Sequence, residues 1–236
     1  MQKTISHVIF DVDGLLLDTE TVYTAVTAKL LEPYGLKLTY AIKRKLMGRK
    51  PLESACALVN ALSAPFTPEE WMAMFSSALT AEQWHRVPCM PGAERLILHL
   101  KKYGIPMAAA TGCSSDELKH KMKNHQTLWS ALSHAVSSGD DPEVKFGKPK
   151  PDIFLITASR FQSPPTDNST VLVFEDSPLG VEAAVAAGMH VVWVPAPDES
   201  SGSAPETIAD SDVHRVTRIN SLLDFRPEEF ALPPFD

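Results

Sequence analysis

Two carboxylates one residue apart close the run Phe10-Asp11-Val12-Asp13-Gly14, directly behind the apolar stretch His7-Val8-Ile9-Phe10. The pattern reads as a buried strand that delivers Asp11 and Asp13 to the open end of a sheet. Like charges this close are costly to bury unless a cation or a reacting group uses them. Three further places carry complementary groups. Thr111-Gly112 offers a hydroxyl and flexible backbone just before a helix start at Ser114 or Ser115. Gly147-Lys148-Pro149 holds a lysine between a glycine and a proline, and Glu175-Asp176 follows the apolar run Val171–Phe174. Together they supply acids for a hard cation, a hydroxyl and N–H groups for an oxyanion, and one fixed ammonium. That set suits phosphoryl transfer assisted by Mg2+.

Each piece alone has a plainer reading. An Asp-x-Asp-Gly loop could belong to an EF-hand, but that loop needs a further oxygen ligand before the glycine, and Leu15-Leu16-Leu17 does not suit a solvated Ca2+ loop. Asp11 and Asp13 could be structural. Glu175-Asp176-Ser177-Pro178 could be a helix start, with Asp176 or Ser177 as cap and Pro178 in the first turn. Thr111 could be a capping hydroxyl, and Lys148 a solvated lysine. What argues against all of these at once is their common position at the ends of strands or in the adjoining loops, where open parallel sheets bind ligands.

The elements that must hold these residues alternate along most of the chain. Apolar runs at His7–Phe10, Ile105–Ala110, Ala135–Val136, Val171–Phe174 and Val191–Val194 read as strands. Between them Glu94–Lys102, Asp116–Lys123, Asp152–Arg160 and Leu179–Ala187 read as helices. The fold class expected is α/β, a Rossmann-like three-layer core around a parallel sheet. Residues 17–87 break the alternation. They read as helix throughout, over Thr21–Tyr34, Ala41–Leu46, Pro51–Ala61 and Pro68–Trp84. An inserted all-helical cap domain over 17–87 is therefore expected, with residues 1–16 and 88–236 forming the core. The segment Val87–Gly92 is its return linker, and the Ser-rich stretch Asp198–Glu206 is a loop.

Composition narrows the function classes. The net charge of −7 argues against a nucleic-acid surface. No run is long and apolar enough for a signal peptide or a membrane span. The three cysteines, Cys56, Cys89 and Cys113, form no CxxC pair or disulfide framework, so a reducing cytoplasmic compartment is expected.

As an ordered set, Asp11-Val12-Asp13-Gly14, Thr111, Gly147-Lys148-Pro149 and Phe174-Glu175-Asp176-Ser177 resemble the four motifs of the haloacid dehalogenase superfamily. The helical insertion resembles the cap of its subfamily I. The resemblance implies a phosphomonoesterase with Asp11 as nucleophile, forming an aspartyl-phosphate, and Asp13 as general acid and then base. It implies Mg2+ as cofactor, held by Asp11, by the backbone carbonyl of Asp13 and by Asp176, with Glu175 as a further candidate ligand. Thr111 and the N–H of Gly112 would bind the phosphoryl group, and Lys148 would neutralise charge. Here Gly112-Cys113 follows the threonine, where many relatives carry Ser or Thr; Cys113 reads as a small buried residue rather than a redox thiol. In the cap, Arg49 and Lys50 are candidates for substrate contact, against the alternative of exposed helix-start cations, while His85 and Arg86 read as surface residues. The partner implied is a small phosphorylated metabolite, a nucleotide or sugar phosphate, met by a monomer with no nucleic acid and no membrane. Other readings are a glycerol-phosphate or deoxysugar-phosphate phosphatase, a phosphomutase, or a non-catalytic Mg2+/phosphate-binding protein.

Overall fold

The structure is a computed structural model that describes residues 4–196 and 202–236. Strand β1 (His7–Phe10) is followed by five helices: α1 (Thr19–Leu31), α2 (Tyr40–Leu46), α3 (Pro51–Leu62), α4 (Pro68–Ala78) and α5 (Ala81–Trp84). Helix α6 (Ala93–Lys102), β2 (Met107–Thr111), α7 (Ser115–Met122), α8 (Gln126–Trp129) and β3 (Ala135–Ser137) come next. The chain continues through α9 (Asp152–Ser159), β4 (Val171–Glu175), α10 (Pro178–Ala186), β5 (His190–Trp193) and β6 (Val216–Arg218).

The strands form one parallel sheet in the order β3-β2-β1-β4-β5-β6. Strands β1, β2, β4 and β5 are buried along their whole length, as a parallel sheet covered on both faces requires. Side chains alternate between the faces. Val8 and Phe10 join Leu172 and Phe174 on the side of α6 and α7, where Leu96, Ile97, Leu100 and Leu118 pack. Ile9, Val171 and Val173 face Ile153, Phe154, Val181 and Ala184 of α9 and α10. Phe10 pairs with Phe174 in register, and their rings stack at 5.0 Å. That register brings the ends of β1 and β4, and so Asp11 and Glu175-Asp176, to one level. The chain runs to β2 on one side of β1 and β4 on the other, so the crevice at these strand ends is where the fold class places ligands.

The five-helix insertion leaves and rejoins the core through two neighbouring passages. The N–H of Asp18 donates to the Pro88 carbonyl at 3.0 Å, and that of Met90 to the Leu16 carbonyl at 2.9 Å. The insertion has an apolar cluster of its own, built on Leu31, Ala55, Leu58, Phe66 and Trp71. Trp84 and Val87, at its far end, pack into the main core instead.

Several boundaries differ from the sequence reading, most of them by one residue. The helix expected over Pro68–Trp84 is two, because Leu79 and Thr80 are extended and Thr80 restarts the chain with a capping box to Gln83. The first helix begins at Thr19, capped by the Asp18 side chain, and its last turn tightens to a 3-10 turn at Glu32–Tyr34 around Pro33, which has no N–H to give. The second strand begins at Met107 because the Ile105 N–H closes the end of α6 on the Leu100 carbonyl. Strand β6 and the one-turn helix α8 carry too short a pattern to stand out. Of the loop expected over Asp198–Glu206, residues 198–201 lie outside the described residues, and 202–206 have no regular structure.

Candidate active site

Asp11 begins where β1 stops, its N–H still paired to the Phe174 carbonyl at 3.0 Å. Its Oδ1 accepts from the Lys148 ammonium at 2.5 Å, and the same ammonium donates to Glu175 Oε1 at 2.5 Å. Lys148 is 2% exposed, so this is a fully desolvated ion cluster. Glu175 is fixed at its other oxygen too, which accepts from the N–H of Ser177 at 2.9 Å and from its hydroxyl at 3.0 Å. Ser177 caps α10 by accepting from the Gly180 N–H, and a Cβ on Gly180 would overlap the Glu175 carboxylate. Both Glu175 oxygens thus have protein partners. Burial pushes the Asp11 carboxyl up, Lys148 pulls it down, and the charges of Glu175 and Asp13 raise it again, to about 7.

Asp13 sits in a second, separate cluster. Its Oδ1 accepts from the Lys121 ammonium at 2.6 Å and its Oδ2 from the Thr111 hydroxyl at 2.9 Å. Burial alone would raise this carboxyl, but Lys121, Thr19 and Thr111 hold it below the usual range. The Thr111 side chain is therefore turned to Asp13 and fully buried. Cys113 lies beside it, 3.3 Å from the Thr111 hydroxyl, and burial pushes its thiol up to about 12. It is a buried thiol without thiolate character.

Asp176 is 6% exposed, and among the described residues no donor reaches its carboxylate. Burial raises it well above the ordinary value, and the charges of Glu175, Asp11 and Glu20 add to the rise. Gly14, at φ +80°, lies against it: a Cβ there would strike Asp176 Oδ2 and Glu20. The acids Asp11, Asp13, Glu20, Glu175 and Asp176 outweigh the ammoniums of Lys43, Lys121 and Lys148, which leaves room for one more cation. No group of three or more His, Cys, Asp or Glu side chains among the described residues is gathered for a metal on its own. The two carboxylates of Asp11 and Asp176 are instead the number Mg2+ commonly takes from a protein, the rest of its octahedron being water and phosphate. The donor set fits that ion.

Asp11, Asp13 and Asp176 open into a cavity of about 750 Å³ between the strand ends and the helical insertion. Gly112, Cys113 and Ser114 line its floor, and Tyr23, Phe75 and Trp84 its wall. The loop before α3 is seated on the core. Gly48, at φ +74°, lies where a Cβ would come within 2.6 Å of Ser177 Oγ, and the Arg49 carbonyl is 3.0 Å from where Gly112 would carry one. Arg49 and Lys50 both line the cavity, but their side chains are engaged. Arg49 Nε donates to the Lys45 carbonyl at 2.7 Å, and Lys50 Nζ to the Val144 carbonyl at 2.7 Å. Glu20 and Lys43 form an ion pair at 3.1 Å on the same wall. Arg86 is exposed and pairs with Glu82, while His85 is half-buried.

Sequence reasoning brought Asp11, Asp13, Thr111, Gly112, Lys148, Glu175 and Asp176 to one crevice, and that is where they lie. It missed Lys121, Tyr23, Glu20 and Lys43. Lys121 carries no motif; it sits in a charged helix that reads as solvated. Glu20 and Lys43 had no signal beyond their place on helices of the insertion.

Among the described residues no helix is long and apolar enough to cross a membrane. The family model of the haloacid dehalogenase-like hydrolases matches residues 8–194. The chain is 44% identical over 235 residues to "(DL)-glycerol-3-phosphatase 2" of Arabidopsis thaliana, covering 99% of this chain and 94% of that protein. It is 42% identical over 233 residues to "Probable pseudouridine-5'-phosphatase" of Drosophila melanogaster, covering 99% and 96%. The crystal structure of CbbY from Rhodobacter sphaeroides in complex with phosphate superposes with a TM-score of 0.72 at 20% identity, over 94% of this chain and 96% of that one, a likeness of fold. With the four motifs gathered around one crevice and a family match that spans them, the chain belongs to the haloacid dehalogenase-like hydrolases.

Proposed function

We propose that the protein is a Mg2+-dependent phosphomonoesterase that works through an aspartyl-phosphate, and that its substrate is pseudouridine 5'-monophosphate. The observation that carries the reaction class is the pairing of a Lys148-clamped Asp11 with an Asp176 carboxylate that has no donor among the described residues, both lining one cavity. Asp11 attacks phosphorus, and the leaving oxygen departs with a proton from Asp13, whose carboxyl, held below the usual range, is raised by the negative charge of the arriving phosphoryl group. Water then attacks the aspartyl-phosphate, its proton passes to Asp13, and orthophosphate leaves with Asp11 restored. Lys148 keeps Asp11 aligned and offsets charge on the phosphoryl group. The N–H of Gly112 and its neighbours on the cavity floor face the transferring oxygens, and Thr111 acts through Asp13. Mg2+, held by Asp11, Asp176 and the Asp13 carbonyl, supplies charge stabilisation when bound.

In this reading residues 17–87 are a cap that closes the cavity, and Arg49 and Lys50 exchange their bonds to the Lys45 and Val144 carbonyls for the leaving group when substrate enters. The aromatic wall of Tyr23, Phe75 and Trp84 offers flat apolar surface to a nucleobase. A cytoplasmic monomer acting on small metabolites completes the reading. The second reading is a glycerol-phosphate phosphatase, favoured by the 44% identity to the Arabidopsis enzyme over nearly the whole chain. Phosphate release from pseudouridine 5'-monophosphate and from glycerol 3-phosphate, each with and without EDTA, separates them. Fast EDTA-sensitive release from the first and slow release from the second supports the nucleotide. The reverse order overturns the named substrate but keeps the reaction class, and release that ignores EDTA overturns the metal.

A further inference from the structure

Lys121 has no exposed side-chain surface, yet the reaction just described gives it no part. Its ammonium donates to Asp13 Oδ1 at 2.6 Å and to the Tyr23 hydroxyl at 2.6 Å, and it forms an ion pair with Glu117 Oε1 at 2.9 Å. The Tyr23 hydroxyl in turn donates to Glu117, which ties these two partners of the ammonium to each other. Two aromatic faces complete the cage, with Tyr23 at 4.9 Å and Trp84 at 4.8 Å from the nitrogen. Two hydrogen bonds, an ion pair and the absence of exposed surface hold the side chain in place.

Such a cluster is a poor way to gain stability. A buried ion pair often loses to apolar residues of the same volume, because desolvation offsets the attraction. The place where this one is kept matters: it ends on Asp13, the group that must meet the leaving oxygen and later the water. Thr111 fixes the other Asp13 oxygen at 2.9 Å.

We propose that Lys121 is a positioning residue for Asp13, and that Tyr23, reaching across from the insertion, holds Lys121 in place. The inference rests on the proposed role of Asp13 in proton transfer. Lys121 touches no substrate; it aims the carboxylate, so its loss is felt wherever Asp13 works. With p-nitrophenyl phosphate the leaving group needs no acid. Asp11 takes the phosphoryl group and nitrophenolate departs unaided. Water then attacks phosphorus, Asp13 accepts its proton, and orthophosphate leaves.

The test is rapid-mixing kinetics on p-nitrophenyl phosphate with the full chain and Mg2+, for Lys121→Met, Tyr23→Phe and Asp13→Asn. Lys121→Met should lose about a hundredfold in steady turnover while keeping a first-turnover burst of nitrophenolate, with phosphorylated protein accumulating by intact mass. Tyr23→Phe, which keeps the ring and the fold, should show the same signature more weakly. Asp13→Asn should show it most strongly. A residue that only supports the fold would lower burst and turnover together, through a smaller active fraction. Proportional loss in both Lys121 and Tyr23 variants, or no loss in either, overturns the proposal while Asp13→Asn still gives a burst. Absence of a burst in Asp13→Asn overturns the role of Asp13 itself, and the role of Lys121 with it.

Discussion

Lys148 Nζ lies 2.5 Å from Asp11 Oδ1, in a buried ion cluster at the edge of the cavity, and among the described residues it is the cationic partner of the residue assigned the attack. Asp11→Asn keeps the shape and removes the carboxylate that would carry the phosphoryl group. Turnover should fall more than about a thousandfold. A protein that keeps more than a tenth of its rate would sink the aspartyl-phosphate.

Lys148→Met leaves Asp11 and Glu175 buried without their cation. Removing one partner of such a set costs about 3 kcal/mol or more. The remaining carboxyls take up protons as pH falls, so the loss in melting temperature should be larger at pH 8 than at pH 5. Calorimetry at the two values checks this; an equal deficit at both would mean the ammonium does not compensate these acids.

Among the described residues Asp176 has no donor, and its folded-state carboxyl is raised well above the ordinary 3.8. For an acid raised in this way the folded protein holds a proton that the unfolded chain has already released. Stability is therefore lost as pH rises above the unfolded value. Asp176→Asn removes that penalty. In EDTA its melting temperature should match wild type near pH 4 and exceed it increasingly toward pH 8, while Mg2+ no longer raises it. A variant less stable than wild type at pH 8 would show that Asp176 has a protein partner after all.

The catalytic corner was legible in sequence because strand ends announce themselves. Four apolar runs, β-branched in β1 and β4 and alanine-rich in β2, stop abruptly at Asp11, Thr111, Ser137 and Glu175, and parallel pairing brings such ends to one edge. Lys121 was not legible for a reason equally physical. On α7 it sits among Asp116, Glu117 and Lys119, a run indistinguishable from a solvated face. What buries it is Tyr23, 98 positions earlier on another helix, and Trp84 beside it. Periodicity along one helix contains no term for a partner delivered by the fold. The break at Leu79-Thr80 is a different case. The capping box Thr80…Gln83 was present in the sequence, but the helical run on either side masked it.

Gly180 gives a prediction in which two effects oppose each other. It is the third residue of α10, where Ala is favoured over Gly by at most about 1 kcal/mol. On propensity alone Gly180→Ala should stabilise the protein. The Cβ, however, would overlap the Glu175 carboxylate, which is locked between Lys148 and Ser177 and cannot retreat. Overpacking of this kind costs about 1–3 kcal/mol, and displaced Glu175 would release Lys148 from one of its two anchors. The packing term outweighs the helical one. Gly180→Ala should melt below wild type, and its kcat should fall because Lys148 no longer holds Asp11 in one orientation. Serine at the same place should do the same, since the clash begins at Cβ. A higher melting temperature with kcat intact would mean that Glu175 moves freely, and the rigid Glu175–Lys148–Asp11 line drawn here would be wrong.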